Sequence, residues 1–83
     1  MDKTKIFNCS NLDTIYIKKV LKEVVDSLEE KGYDSKTQII GYLMSGDPGY
    51  ISNYNDSRKK ITNIDRAKIL EVIIKEYFEK CDI

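Results

Sequence analysis

An all-α fold, a bundle of four to five helices, follows from three observations on this 83-residue chain. Apolar residues recur at three- and four-residue steps over two long stretches, the period of an amphipathic helix. No segment alternates apolar with polar residues as a half-buried strand would, and Asn-Gly hairpin signals are missing. Aspartate, serine and proline precede the helical segments and glycine follows them, the order in which helix start and stop signals occur.

The first ten or so residues open the chain without pattern. Residues 1–12 are largely polar, with Ile6 and Phe7 as the only large apolar pair, and show no helical period, so they read as a flexible N-terminal tail before a single domain over 13–83. From Thr14 onward Ile17, Val20, Leu21, Val24, Val25 and Leu28 form one stripe, with Asp13 or Thr14 as cap and Gly32 as the left-handed stop after Lys31. Ser35-Lys36-Thr37-Gln38 fits a capping box and opens a helix over about 36–45 that turns Ile39, Ile40, Leu43 and Met44 toward a core. Gly41 lies inside that helix, where glycine costs about 1 kcal/mol relative to alanine. Its presence there predicts close approach of another backbone or of a ring.

Gly46 ends this helix, and Asp47-Pro48 restarts the chain with a cap followed by a residue suited to the first helical position. One short turn is predicted through Ile51, and a second short helix from Asp56 to about Asn63. The last helix, about 65–80, is apolar over an unusually wide arc. Ile69, Ile73, Tyr77 and Cys81 form one line, Leu70, Ile74 and Phe78 the next, and Val72 widens the face. One stripe would satisfy the core of so small a domain, so a face this broad predicts burial on a second side.

Size sharpens that expectation. A chain of this length makes one domain, buries only about 60% of its unfolded surface, and loses roughly 1.5 kcal/mol per residue in ordering. Something beyond one small core is expected to help. Histidine is absent and the only cysteines, Cys9 and Cys81, stand near opposite ends. A Cys/His zinc site therefore does not assemble, no cofactor is expected, and both thiols read as free in a reducing compartment. Self-association remains as the source of extra stability.

Fourteen basic and fourteen acidic side chains give zero formal charge, which draws the chain to neither nucleic acid nor an anionic membrane. No apolar run approaches the ~20 residues of a membrane span. The opening MDKTKIFNCSNLD lacks the apolar core of a signal peptide, so a cytoplasmic location is expected.

Catalysis finds little support. Without histidine the commonest general base near neutral pH is missing, and Asn8 and Asp82 are poor activators for the neighbouring cysteines. Asp47 is explained as a helix cap before Pro48. Ser45-Gly46-Asp47-Pro48-Gly49 lacks the lysine and spacing of a phosphate-cradling loop. Arg58, Lys59, Lys60, Arg66 and Lys68, with Tyr50 and Tyr54 upstream, form the only basic concentration, a pattern that suits single-stranded nucleic acid. Asp56, Asp65 and Glu71 are interleaved with it, so a solvated helix face is the better reading. Arg58 is expected to bond helix-end carbonyls or to pair with an acidic side chain.

The stretch Lys31–Arg58 holds all four glycines, the only proline and four of the six tyrosines. Within it stand Lys31-Gly32-Tyr33, Gln38-Ile39-Ile40-Gly41-Tyr42, Ser45-Gly46-Asp47-Pro48, Tyr50-Ile51, Tyr54-Asn55 and Arg58. This run strongly resembles the IreB family of small regulators from low-GC Gram-positive bacteria, and the similarity continues through Ile61, Asp65-Arg66 and the last helix. The resemblance implies a compact all-helical homodimer without enzymatic activity. It implies phosphorylation on an N-terminal threonine by a transmembrane Ser/Thr kinase with extracellular PASTA repeats, reversed by a partner phosphatase. The family's pathway governs cell-wall stress responses and cephalosporin tolerance, in which the regulator acts negatively.

Carried over to this chain, the resemblance makes Thr4, three residues before Phe7, the phosphate acceptor. A second acceptor threonine upstream has no counterpart, and Ser52 stands where the family often has proline or threonine. Gly32, Tyr33, Gln38, Gly41, Tyr42, Ser45, Gly46, Asp47 and Pro48 are expected to be structural. Tyr50, Tyr54, Asn55 and Arg58 are expected to form an interaction surface for a downstream protein, and a nucleic-acid-binding helical protein is the competing class.

Overall fold

The predicted stripe of the first helix is the spine of the core. The structure, a computed structural model, describes residues 11–81, so the expectations on Thr4, Cys9 and the tail fall outside it, as does the side chain of Cys81. Helix α1 (Asn11–Glu30) buries Ile17, Val20, Val24 and Leu28 along one line, with Leu21 packed at its edge. It begins three residues before Thr14, the start predicted from periodicity. Leu12 is 78% exposed, so the extra turn follows no apolar period. Asp13, expected as a cap, lies instead in the first turn, where its charge suits the positive end of the helix.

The C-terminus of α1 closes with two paired backbone bonds. Tyr33 donates its N–H to the Leu28 carbonyl at 2.9 Å and Gly32 donates to Glu29 at 3.0 Å, with Gly32 at φ 90°. This double closure needs a left-handed residue after the last turn, and glycine adopts it without a Cβ penalty.

Helix α2 (Ser35–Ser45) starts differently from the predicted capping box. Asp34, in an extended conformation, is the cap: its carboxylate accepts from the Thr37 N–H at 3.3 Å and from the Thr37 hydroxyl at 2.8 Å. Those bonds hold the Asp34 carboxyl below its ordinary range, Thr37 being the main cause. With the helix one residue longer than expected, Ser35 is its first residue and its hydroxyl donates to Glu29 at 2.8 Å. Gln38 is then too far along to cap and faces the following loop.

The predicted core face of α2 is also rotated. Tyr42 is buried with Ile39 and Leu43 packed beside it, whereas Ile40 is 49% exposed and Met44 83% exposed. Seating the large Tyr42 ring inward, with Gly41 and Gln38 facing the loop, sets the helix rotation and carries Ile40 and Met44 round to the outside.

Two 3₁₀ turns follow, Pro48–Tyr50 and Tyr54–Asp56, then helix α3 (Ser57–Thr62), and last helix α4 (Arg66–Cys81). The second short helix predicted from Asp56 is thus a 3₁₀ turn followed by α3. Ile51, Ile61 and Ile69 are fully buried and meet the α1 line; Ile64 and Val72 complete the core. Helix α4 lies along α1, tied by Lys68–Asp13 at 3.7 Å and Lys18–Glu76 at 2.8 Å. These pairs advance together in sequence, so the two helices run in the same direction. Among the described residues there is no strand, and the fold is all-helical as predicted.

Candidate interaction surface

The residues that carry the sequence pattern assemble into one braced loop. Gly41 faces the Tyr50 ring so closely that a Cβ there would sit 2.9 Å from its Cγ and Cε1 atoms, and nearer still to Cδ1. The ring approach predicted for this glycine is that of Tyr50. Gln38 grips the next residues with both ends of its amide: Oε1 accepts from the Ser52 N–H at 2.9 Å, and Nε2 donates to the Ser52 hydroxyl at 3.1 Å. Asp47 caps the first 3₁₀ turn through the Gly49 N–H at 2.9 Å, with Pro48 in the first position, as predicted.

The end of α2 is sealed from three directions. Gly46, at φ 77°, returns its N–H to the Tyr42 carbonyl at 2.7 Å, the Ser45 hydroxyl donates to Gly41 at 2.7 Å, and Arg66 Nη1 donates to Leu43 at 2.9 Å. A Cβ on Gly46 would lie 2.8 Å from Arg66 Nη2. That glycine therefore admits both the left-handed turn and the guanidinium that caps the helix end. From sequence Arg66 stands in a basic run and in the Asp65-Arg66 pair of the family resemblance; its role as a cap depends on a contact 23 residues away in the chain.

The four residues expected to face a partner lie on one segment, Tyr50 to Arg58. Tyr50 is 52% exposed and Tyr54 is half-buried. Arg58 Nε donates to the Ile51 carbonyl at 2.9 Å, and Asn55 Nδ2 donates to the Ser27 hydroxyl at 3.4 Å. Asn55 and Asp56 both take positive φ, 54° and 60°, a conformation that asparagine and aspartate tolerate best among non-glycine residues. Fully buried Ser57 fixes this kink by donating to the Tyr54 carbonyl at 2.6 Å. Much of the polar capacity of this segment is therefore spent in holding its own shape.

Tyr54 sits among charges of both signs. Its hydroxyl donates to Glu30 Oε2 at 3.3 Å, and Lys31 Nζ lies 5.4 Å from its ring centroid. The Glu30 carboxylate opposes a second negative charge beside it, which pushes the Tyr54 phenol above its ordinary value of 10.0. A raised folded pKa means the native state holds the proton more tightly, so this contribution is complete below the unfolded value and fades as alkali removes the proton. In an ultraviolet titration of the six tyrosines, one is expected to ionise late, and Glu30→Gln is expected to return it to the main group. An unchanged titration curve would remove Glu30 from this account.

The basic residues are largely engaged inside the fold. Beyond Arg58 and Arg66, Lys60 pairs with Glu23 at 3.7 Å and Lys68 with Asp13 at 3.7 Å. Such pairing weakens the local field that a nucleic-acid phosphate would meet.

Among the described residues, a broad apolar face on α4 is left uncovered. Only Ile69 and Val72 of that helix are fully buried, while Leu70, Ile73, Ile74, Tyr77 and Phe78 remain 39 to 56% exposed. A shallow groove follows Leu70, Ile74 and Phe78, rimmed by Glu71, Lys75 and Glu79. Tyr77 and Phe78 place their ring centroids 6.0 Å apart along the same face. At the start of α1, Leu12, Ile15 and Tyr16 are exposed too, and Ile15 lines a second groove with Lys75 and Glu79. The wide face read from the sequence is thus half used by the core and half left to solvent. No helix of the described residues is long and apolar enough to cross a membrane.

A family model described as IreB regulatory phosphoprotein matches residues 2–79, nearly the whole chain and all of the braced loop. The chain belongs to the IreB regulatory phosphoprotein family.

Proposed function

We propose that this protein is a non-enzymatic regulator that works by protein–protein contact, pairs with a second copy of itself, and is switched by a phosphate on Thr4. The observation that carries this reading is the α4 face, where five large apolar side chains lie open while the core takes only Ile69 and Val72 from that helix. Exposed apolar surface of that kind marks an interaction site in a domain this small. The Tyr50–Arg58 segment, rigid and half-exposed, offers a second surface suited to a downstream protein.

Membership of a family of regulatory phosphoproteins supports a kinase and a phosphatase as writer and eraser, and Thr4-Lys5-Ile6-Phe7 is the stretch that the sequence resemblance offers as acceptor. The two enzymes are a membrane Ser/Thr kinase of the PASTA type and its phosphatase, acting in the cytoplasm on responses to cell-wall stress and cephalosporins. The test is phosphorylation by the cognate kinase of the protein and of Thr4→Ala. Incorporation is expected to fall to background in the variant, and the regulatory output is expected to lose its dependence on the kinase. Undiminished incorporation would take Thr4 out of the mechanism.

A further inference from the structure

We infer that the outer face of α2 and the Tyr50–Arg58 segment form one docking strip for a partner segment that combines apolar side chains with a carboxylate. The inference rests on the reading of Tyr50–Arg58 as a surface for a downstream protein and names the chemistry recognised there. The apolar part comes from a helix face that the core does not use. Ile40 and Met44 stand four residues apart on α2, and both are exposed, Met44 to 83%. Gly41 and Met44 are three residues apart, so the Tyr50 ring seated against Gly41 lies on the row beside that pair. A flexible thioether next to a fixed aromatic ring suits a binding surface, because the first adapts its shape and the second supplies rigid contact area. The Gln38 clasp on Ser52 holds the chain just after Tyr50 in place, so the strip is formed before any partner arrives.

The charged end of the strip is Arg58. Its Nε donates to the Ile51 carbonyl at 2.9 Å, which ties the guanidinium to the residue directly after Tyr50. That bond uses one of the five N–H donors of the group. Arg58 is exposed, and among the described residues no carboxylate pairs with it and no second hydrogen bond occupies its fork. Arg66, Lys60 and Lys68, by contrast, are engaged within the fold. A guanidinium held at Nε and open at its outer nitrogens offers the planar geometry that a carboxylate meets with both oxygens. With exposed Asp56 only two residues away, this single fork suits the one charge of a carboxylate better than the two of a phosphate monoester. Asp47 is exposed three residues beyond Met44, so the acidic group of the partner belongs at the Arg58 end. The α4 face of a second copy also joins apolar side chains to carboxylates, but seating it here would chain copies head to tail without closure. The occupant is therefore a segment of a different protein.

The experiment pans a phage-displayed library of random peptides, each about twelve residues long, against the full chain and against Met44→Glu, Arg58→Lys and Ile74→Glu. Enriched peptides are expected to carry apolar residues together with Asp or Glu and to bind Ile74→Glu as well as the parent. They are expected to lose affinity about tenfold or more on Met44→Glu and on Arg58→Lys, and equally when their own carboxylate is replaced by its amide. Met44 is a surface side chain, so its substitution leaves the fold intact, which thermal melting by circular dichroism checks. That variant keeps the test decisive even where Arg58→Lys melts early. A library without enrichment, enriched peptides that lack carboxylates, or peptides that bind Met44→Glu unchanged overturn the inference. Binding lost only on Ile74→Glu overturns it as well, by moving the site to α4. Open chains of the protein alone, dispersed by Met44→Glu, overturn it by making a second copy the occupant. A regulatory output that survives Met44→Glu while peptide binding is lost sinks the downstream-surface reading and leaves the chemistry of the strip standing.

Discussion

Replacing Ile74 by glutamate is expected to abolish self-association while leaving the subunit folded. Ile74 is 50% exposed at the centre of the α4 face, flanked one turn away by Leu70 and Phe78. In a lone subunit the new carboxylate meets water, and glutamate is a better helix former than isoleucine, so stability should change by less than about 0.5 kcal/mol. Between two subunits it would be stripped of water without a partner, a cost of several kcal/mol. Association should weaken by at least about a hundredfold, equivalent to roughly 3 kcal/mol. Sedimentation velocity across a concentration series, with thermal melting followed by circular dichroism, reads both halves of the claim. Association as tight as that of the parent protein would place the pairing surface elsewhere.

The second large effect is a change of sign. Gly41→Ala gains about 1 kcal/mol from helix propensity alone. The added Cβ, however, would lie 2.9 Å from Cγ and Cε1 of Tyr50, well inside carbon–carbon contact distance, so the ring must leave its seat. The overpacking costs about 2–3 kcal/mol, because the half-exposed ring gives up its covered surface and the adjoining turn is held to α2 by the Gln38–Ser52 pair. Net destabilisation of about 1–2 kcal/mol is expected by urea denaturation. In a Tyr50→Ala background the same Gly41→Ala change should stabilise by about 1 kcal/mol, because propensity then acts unopposed. The coupling of about 2 kcal/mol or more is what a double-mutant cycle measures. Stabilisation by Gly41→Ala in both backgrounds would show that the notch does not hold the ring.

The residues that sequence reasoning placed well are those whose signals are local. Gly32 closes α1, Asp47-Pro48 opens the first 3₁₀ turn and the stripe Ile17–Leu28 lines the core, each because its cause lies within a few residues. The failures cluster where two local signals compete. Ser35-x-x-Gln38 is a sound capping box in isolation, but Asp34 precedes it by one residue and bonds Thr37 twice. That shift frees Gln38 to clasp Ser52, a bond across 14 residues for which no local pattern exists. Ile40 and Met44 failed for a related reason: periodicity marked several apolar faces on α2, and only the seat taken by Tyr42 chose among them.

The candidate surface divides in the same manner. Breadth of apolar arc along α4 was readable from spacing alone, since a helix places every third or fourth residue on one side. Which half of that arc meets α1 was not, because it depends on how Lys68 and Glu76 pair with Asp13 and Lys18 on another helix. Helix content, breaks and surplus apolar surface are properties of neighbouring residues, and the chain specifies them without further information. Rotation of each helix, the clasp at Ser52, the cap from Arg66 and the side of α4 left bare arise only when distant segments meet, because each minimises the exposed apolar area and unpaired polar atoms of the other.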